Sequence, residues 1–385
     1  MTSQPISFRA IEPSDPTRFP HLMLKEIYQQ PEVLRTCLAA YLTSDHNDPI
    51  NLNLPIELYA DLDQIHLIAC GTSRHAGLVA QHWLEQIAGI PTRIRSGSEF
   101  VSAPLPLTAN TLTIAITQSG ETADTLKALT IDQTHRSELG DRWQARQLGI
   151  TNHPDSSLAQ CVNHTLLTLA GTEIGVAATK TFTTQLAVLC CLMLDLAGRR
   201  GAIASDSLHQ WITALKRLPD QIALMLEQED AIKELAQQLV ECRHCIVLGQ
   251  GVNRAIALEG ALKLKETTYI HAEGYAAGEF LHGPIALLDQ QIPVIAIVPE
   301  DNSQAAVLET ARKAQMSGAK VIGIVSDHSV PADLFEECLV LPAIANELLS
   351  PFLTVIPLQL LAYHMAVLRG LDVDRPRHLT KAITA

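Results

Sequence analysis

The chain is short of positive charge and of aromatic side chains. Its 385 residues include 28 Lys and Arg against 41 Asp and Glu, which gives a formal charge of −13, and aromatic residues make up 4%. Nucleic acids and anionic membrane surfaces attract proteins through clustered Lys and Arg. The charge balance therefore argues against both as partners.

Long uninterrupted apolar runs are also missing. The chain does not start with a charged stretch followed by an apolar one, so we expect no secretory signal. The longest apolar runs, 186–194 and 355–368, are too short to span a bilayer or are broken by Pro357, Gln359 and His364. These features predict a cytoplasmic protein that does not cross a membrane.

The cysteines do not complete a metal site in the sequence. Cys242 and Cys245 have the C-x-x-C spacing, but no second pair accompanies them. They lead directly into the apolar run CIVLG, where a cysteine is typical of a protein core. We therefore predict no metal and no other cofactor.

The chain does contain an internal repeat. Four short apolar runs of the first half recur about 170 to 181 residues later. The pairs are HLIACGTS and CIVLGQG, TIAIT and VIAIV, LGITN and IGIVS, and HTLLTL and ECLVLP. Short runs of this kind, alternating with helical stretches, predict parallel sheets covered by helices on both faces. We predict an α/β fold made of two tandem doubly wound domains.

The same pattern gives approximate boundaries for the parts of the chain. The residues before about 21 carry several prolines and predict an irregular arm, which a helix over 22–42 follows. We divide the chain into an N-terminal arm and helix (1–49), a first domain (50–197), linker helices (198–235), a second domain (236–375) and a C-terminal tail (376–385).

A hydroxyl-rich turn, TQSGET (117–122), follows one apolar run of the first domain. The start of a helix presents unpaired N–H groups and a partial positive charge, which favour an anion. No Lys or Arg lies between Thr111 and Leu126, so hydroxyls and amides would hold that anion. This chemistry suits the phosphate of a small molecule, although a plain capped helix is the alternative. The second copy has VPEDNS at this place, so we expect one phosphate site per chain.

Ionisable residues are dense in the segment LEGALKLKETTYIHAEGYAAGEFLHGP (258–284). On a helix, Lys263 and Glu266 share a face, and a carboxylate beside an ammonium could act as a base with an electrophile. The same spacing also fits a solvated salt bridge. Taken singly, His282 has no partner at a metal-binding spacing, and Lys381 would be a frayed tail residue.

Five motifs occur in the order in which they occur in the isomerase half of glucosamine-6-phosphate synthase, which consists of two sugar isomerase domains. They are CGTS (70–73), TQSGET (117–122), GTEIGVAATK (171–180), LEGALKLKE (258–266) and the segment 372–381. The chain resembles this family from about His21 onward. Thr117 and Ala178 stand where the family commonly has Ser, and the N-terminal glutaminase domain is missing from the sequence. We therefore expect either an excised domain or a stand-alone enzyme that does not use glutamine by itself.

The resemblance implies a role for each residue of a sugar-phosphate site. The phosphate of fructose 6-phosphate would be bound by Thr117, Gln118, Ser119 and Thr122. The sugar would be surrounded by Cys70, Thr72, Ser73, Val176 and Ala382. Glu266 would move a proton between C1 and C2, and Lys263 would stabilise the enediol oxygen. Lys381 would form a Schiff base with C2. His282 would reach into the site of a neighbouring subunit as the ring-opening acid, which implies a homodimer.

Three functions remain open at this level. The leading one is a sugar-phosphate isomerase that makes glucose 6-phosphate, or glucosamine 6-phosphate when ammonia is available. Whether a separate glutaminase is a partner stays open. A glucosamine-6-phosphate deaminase would run the same chemistry in reverse. A non-catalytic sugar-phosphate sensor would keep the phosphate turn and usually lose the catalytic carboxylate and lysines. The sequence does not decide the sugar epimer or any assembly beyond a dimer.

Overall fold

The computed structural model describes residues 19–140, 146–326, 330–331 and 333–384. The irregular arm expected before about residue 21 lies almost entirely outside these residues. Where the sequence predicts one helix over 22–42, the structure has two, α1 (Leu22–Tyr28) and α2 (Gln30–Tyr41).

The first half of the chain folds into a parallel five-stranded sheet with the order β2-β1-β3-β4-β5. In chain order its elements are β1 (Gln64–Ala69), α3 (Gly71–Gln86), β2 (Thr92–Arg95), α4 (Gly97–Ser102), β3 (Thr111–Ile116), α5 (Ala123–Leu139), β4 (Gln147–Thr151), α6 (Ser157–Cys161), β5 (His164–Leu167) and α7 (Lys180–Arg199).

The second half repeats this arrangement after two connecting helices. These are α8 (Ser205–Leu226) and α9 (Glu229–Leu239). The elements that follow are β6 (His244–Gly249), α10 (Arg254–Thr268), β7 (His271–Ala276), α11 (Ala277–Phe280), β8 (Val294–Val298), α12 (Gln304–Met316), β9 (Val321–Val325), β10 (Glu337–Val340) and α13 (Pro351–Leu368). The parallel sheet has the order β7-β6-β8-β9-β10, the counterpart of the first. The predicted α/β fold with two parallel, doubly wound sheets is confirmed, whereas the residue boundaries of the parts stay a prediction.

Burial explains why the central strands are recognised in the sequence. Every residue of β3, β4, β8 and β9 is buried. Strands covered on both faces read as continuous apolar runs, and these are runs from which the repeat is recognised. Strands β2 and β7 lie at equivalent edges of their sheets and are only partly buried. Their polar sequences, TRIR and HAEGYA, do not form such runs, so the sequence analysis missed both.

Two apolar helices fill the centre of the fold. Helix α7 and the stretch Glu347–Leu368, which contains α13, are long and apolar enough to cross a bilayer by length and composition alone. They are 94% and 89% buried inside the protein, and core helices pass the same test. Helix α7 packs on α2 and α3, while α13 packs on α9 and α10. Because α3 also contacts α10, the two halves meet along these helices.

Candidate active site

The turn 117–122 joins the end of β3 to the start of α5, and a glycine fixes its shape. Gly120 has a φ of +70°, and a Cβ there would lie 2.1 Å from Oγ of Ser156. Within the turn, the Glu121 N–H donates to Oγ of Ser119 at 3.1 Å. The hydroxyls of Thr117 and Thr122 are 2.6 Å apart. The turn therefore gathers three hydroxyls at the carboxyl end of β3, where ligands bind in sheets of this topology.

These hydroxyls are not used as ordinary helix caps. Thr122 is the N-cap residue of α5, yet within the described part of the chain its side chain makes no capping hydrogen bond. The N–H of Ala123, the first residue of α5, instead donates to the carbonyl of Ile383 at 3.0 Å. Unpaired donors at a helix start are the groups that favour an anion. Here a carbonyl oxygen from the C-terminal tail accepts from one of them.

The neighbouring carboxylate is held away from the turn's hydroxyls by the start of α6. Glu121 accepts hydrogen bonds from both the N–H and the hydroxyl of Ser157, at 2.8 and 2.7 Å. These bonds lower the pKa of Glu121. Gln118 is fixed through its backbone carbonyl, which accepts from the Asn152 N–H at 3.1 Å. Its side-chain amide lies 3.4 Å from Nε2 of His153.

A second turn, after β1, links the two halves. Helix α3 starts at Gly71, and the hydroxyl of Thr72 donates to Oε1 of Glu259 on α10 at 3.0 Å. Lys263 Nζ donates to the same hydroxyl at 3.2 Å. Nδ1 of His75 lies 2.6 Å from Oε2 of Glu259. Side chains of the first half thus contact the helix that carries the predicted catalytic residues.

Lys263 forms an ion pair with Glu266 in which the lysine is buried and the glutamate is partly exposed. Nζ of Lys263 lies 2.5 Å from Oε2 of Glu266 and 3.5 Å from Oε1 of Glu259, and the lysine side chain is fully buried. Burial lowers the pKa of Lys263, but Glu266 and then Glu259 more than offset this and raise it. Burial likewise raises the pKa of Glu259, which Lys263 and His75 bring below its usual value. Lys265, by contrast, is exposed. The pair is therefore not a solvated surface salt bridge.

Lys381 is held in place although it belongs to the tail. Its Nζ lies 2.5 Å from Oε2 of Glu173 and 2.7 Å from the carbonyl of Gly175. The segment before it is tied down by Asp374, whose carboxylate accepts from the N–H groups of Leu22 and Met23 at 2.9 and 2.8 Å. The carbonyl of Asp374 accepts from the N–H of Val176 at 3.1 Å. Lys381 is therefore an anchored residue of the site in this structure.

Glu173 connects the tail to α10. It is fully buried, and its charge contributes to the raised pKa of Lys263, so the two groups lie within electrostatic range. Glu173 thus contacts Lys381 of the tail directly and acts on Lys263 of α10 only through its charge. Ile383, two residues beyond Lys381, contacts the start of α5 just after the turn 117–122, where its carbonyl accepts from the N–H of Ala123. The structure brings these parts of the predicted site together.

The remaining predicted residues have the following places. Ser73 is buried, and its hydroxyl accepts from Nε2 of Gln185 at 3.0 Å. Sγ of Cys70 is 3.8 Å from Oγ1 of Thr125. Val176 and Ala382 are half-buried. His282 is exposed in the turn after α11, and its described hydrogen bond is from its N–H to the carbonyl of Glu279. The structure does not bring His282 together with the other predicted residues.

The sequence analysis missed Glu173, Glu259 and His75. All three lie within or beside recognised motifs, but their contacts join residues far apart in the chain. Glu173 and Lys381 are 208 residues apart, and His75 and Glu259 are 184 apart. Within the described ranges, no group of three or more His, Cys, Asp or Glu side chains is arranged to hold a metal ion.

Comparison with known proteins identifies relatives that cover nearly the whole chain. The sequence model of the SIS domain family matches residues 58–194 and 238–369. Isomerizing glutamine–fructose-6-phosphate aminotransferase of Nostoc sp. is 50% identical over 374 residues, which are 96% of this chain and 60% of that protein. The enzyme of the same name from Synechocystis sp. is 50% identical over 375 residues, with coverage of 95% and 59%. The chain thus spans about 60% of the length of these curated relatives.

Comparison with solved structures also finds an aminotransferase of this type. The C-terminal domain of glucosamine-fructose-6-phosphate aminotransferase from Francisella tularensis is similar with a TM-score of 0.87 and 35% identity, over 94% of this chain and all of that one. A glucosamine-6-phosphate deaminase from Thermotoga maritima has a TM-score of 0.70 at 22% identity, over 95% of this chain and all of that one, which shows a shared fold alone.

Proposed function

The chain belongs to the SIS domain family, in the group formed by the isomerase half of glutamine–fructose-6-phosphate aminotransferase, and from this membership we propose that it acts on fructose 6-phosphate. With ammonia it would form glucosamine 6-phosphate, and without ammonia glucose 6-phosphate. Two observations carry the proposal: Lys263 is paired with Glu266 on α10, and Lys381 is anchored on Glu173 in a tail whose Ile383 carbonyl reaches the turn 117–122.

The phosphate is placed by the turn 117–122 in this proposal. Thr117, Ser119 and Thr122 supply hydroxyls, Gln118 supplies an amide, and α5 supplies the N–H of Ala123. The carbonyl of Ile383 now accepts from that N–H, and a phosphate oxygen would make a stronger, charge-assisted bond with it. Cys70, Thr72, Ser73, Val176 and Ala382 would surround the sugar chain.

Proton transfer between C1 and C2 is assigned to Glu266. A positioned carboxylate accelerates such a step by about 10²-fold to 10⁴-fold. The enediol intermediate develops negative charge on oxygen, and the ammonium of Lys263, held protonated by two carboxylates, is suited to stabilise it. Because Thr72 contacts both Lys263 and Glu259, the first half of the chain helps to fix that ammonium.

Lys381 would form the imine with the C2 carbonyl of the open-chain sugar. An imine activates this carbon toward exchange with ammonia and makes the adjacent C–H more acidic. Ammonia is the co-substrate in this step, and ammonium salt or a separate glutaminase could supply it. We further propose a cytoplasmic homodimer in which His282 acts as ring-opening acid in the site of the neighbouring subunit. The exposure of His282 supports this role, since a residue that serves a second subunit must lie at the surface.

Trapping with borohydride tests the assignment. Reduction in the presence of fructose 6-phosphate should attach the sugar to Lys381, which peptide mass spectrometry locates. Lys381→Ala should lose the adduct, and Lys265→Ala, which changes an exposed lysine, should keep it. An unmodified Lys381, together with full turnover in Lys381→Ala, would rule out the imine mechanism.

The same preparation separates the other two functions. Initial rates from glucosamine 6-phosphate and from fructose 6-phosphate with ammonium measure the preferred direction, and a faster first reaction would favour the deaminase. A sensor would bind the sugar phosphate without exchanging its C1 or C2 proton with deuterated water. We expect exchange, because Glu266 and Lys263 are both present and paired.

A further inference from the structure

We propose that Glu173 is a catalytic residue that carries a proton for Lys381. It would take the proton that the Lys381 ammonium must lose before its amine attacks the sugar carbonyl, and would return it to the hydroxyl that leaves as water. This inference rests on the proposed imine chemistry of Lys381 and adds to it the group that makes the lysine nucleophilic.

The two carboxylate oxygens of Glu173 have different partners. Oε1 accepts from the N–H groups of Thr179 and Thr181 at the start of α7, at 3.0 and 3.1 Å. Oε2 accepts from Nζ of Lys381 at 2.5 Å and from the hydroxyl of Thr181 at 2.7 Å. One oxygen therefore fixes the carboxylate on the fold, and the other faces the reacting amine. A contact of this length is within the range for direct proton transfer.

The surroundings of Glu173 favour its protonated form once Lys381 is neutral. Burial raises the pKa of Glu173, and the Lys381 ammonium with the hydrogen bonds from α7 now holds it below its usual value. Loss of the ammonium removes the largest of these lowering effects and leaves the burial. The buried carboxyl of Glu26 lies nearby and has a raised pKa, through burial and then through the charge of Glu173. One oxygen of Glu26 has no hydrogen-bond partner among the described residues. With Lys381 neutral, the charge of Lys180 still acts on both carboxylates, but burial and the neighbouring Glu26 favour protonation of Glu173.

The step balances without another reactant. A proton passes from Nζ of Lys381 to Oε2 of Glu173, and the neutral amine forms an N–C bond to C2 of the sugar. The carbonyl oxygen takes a proton from the attacking nitrogen and becomes a hydroxyl. The C–O bond then breaks, the hydroxyl leaves as water with the proton from Glu173, and the nitrogen lone pair forms the C=N bond. Ammonium and ketone become iminium and water, and Glu173 is again a carboxylate.

The alternative is that Glu173 only caps α7 and pairs with Lys381. Glu173→Gln separates the two roles, because the amide keeps an acceptor for α7 but cannot take a proton. In rapid-mixing experiments with borohydride, we expect the adduct at Lys381 to form at least about 100-fold more slowly in Glu173→Gln than in the wild type. The affinity for fructose 6-phosphate should stay within a few-fold. Glu173→Asp keeps a carboxylate with a shorter reach and should restore part of the rate.

A matched control removes the neighbouring buried carboxylate instead. Glu26→Gln changes the local charge without a hydrogen bond to Lys381, and we expect its adduct to form within a few-fold of the wild-type rate. Equal slowing in Glu26→Gln and Glu173→Gln would show an effect of local charge and overturn the proposal, as would a wild-type rate in folded Glu173→Gln. If thermal melting shows that Glu173→Gln is unfolded, Glu173→Ala replaces it, and a wild-type trapping rate in folded Glu173→Ala overturns the proposal. Absence of any adduct in the wild type would instead refute the imine mechanism itself.

Discussion

The Lys263 ammonium is fully buried between the carboxylates of Glu259 and Glu266. A charge in this position is costly unless it is paired and hydrogen-bonded. Both carboxylates and the hydroxyl of Thr72 meet that need, so the positive charge is fixed in place before substrate arrives. A pre-positioned charge is what stabilises a developing oxyanion.

Glu266→Gln tests the base at this site. The amide keeps the size of the side chain and removes the proton acceptor, so we predict that exchange of the C1 or C2 proton falls by at least about 100-fold. Exchange is measured by NMR in deuterated water. Lys265→Gln, one residue away on the exposed face, should exchange at the wild-type rate. Exchange at the wild-type rate in Glu266→Gln would show that another group acts as the base.

His66 in β1 predicts a pH dependence of stability. It is fully buried, and neither ring nitrogen has a hydrogen-bond partner in the described part of the chain. Burial lowers its pKa from 6.5 to about 4. Between pH 4 and 6.5, His66 is protonated in the unfolded chain but not in the folded one. Its contribution to the free energy of unfolding is therefore complete above pH 6.5 and is lost as the pH falls toward 4.

Urea unfolding of the wild type and of His66→Leu measures this effect. Between pH 7.5 and 4.5 the wild type should lose about 2 to 3 kcal/mol more unfolding free energy than the variant, because one pKa unit corresponds to about 1.4 kcal/mol. Equal losses would mean that His66 does not titrate differently in the folded and unfolded states.

At the scale of elements, the predictable parts are those with local signals. The central strands β3, β4, β8 and β9 are buried along their whole length and largely apolar, and the turn 117–122 is recognised by its hydroxyls. The pairing of Lys263 with Glu266 follows from helical spacing alone. In contrast, Glu173 and Glu259 acquire their partners through tertiary contacts, which no local pattern encodes. The polar edge strands β2 and β7 are missed for the related reason that pairing with a neighbour, rather than an apolar run, defines them.

Gly120→Ala tests the phosphate turn. The added Cβ would meet Ser156, and the left-handed backbone disfavours any side chain. The turn must shift, so we predict that KM for fructose 6-phosphate rises by about tenfold or more, which corresponds to about 1.4 kcal/mol. Steady-state kinetics measure this change.

Gly201→Ala is the matched control for Gly120→Ala. Gly201 has a φ of +66°, and a Cβ there would have no described atom within 4 Å. It should cost about 1 kcal/mol of stability and leave KM unchanged. A similar rise of KM in both variants would reflect general destabilisation and would contradict a special role of the turn.

At the scale of the whole molecule, neither half carries a complete site. The turn 117–122 and Thr72 belong to the first half of the chain, Lys263 and Glu266 to the second half, and Lys381 to the tail. The contact of α3 with α10 therefore does more than join two repeats, because it brings the proposed site residues of the two halves together. In the proposed function, the turn 117–122 of one repeat and helix α10 of the other depend on each other.

The proposed dimer predicts complementation between two inactive variants. If His282 serves the neighbouring site, His282→Ala and Lys381→Ala chains should be inactive or nearly so alone. In a random mixture, half of the dimers are mixed and one of their two sites is intact, so about a quarter of the wild-type activity should return. The mixture is made by co-expression or by unfolding and refolding together. No recovery, with mixed dimers shown by mass spectrometry, would place His282 outside the neighbouring site.

The bond between the carbonyl of Ile383 and the N–H of Ala123 has a consequence for selectivity. A phosphate bound at this turn, as proposed, would compete with the Ile383 carbonyl, which lies two residues from Lys381, a span of at most about 7 Å of extended chain. Displacement of that carbonyl would then shift the tail close to the lysine. Fructose without its phosphate would leave the bond between Ile383 and Ala123 intact. The enzyme would therefore discriminate against it in imine formation as well as in binding.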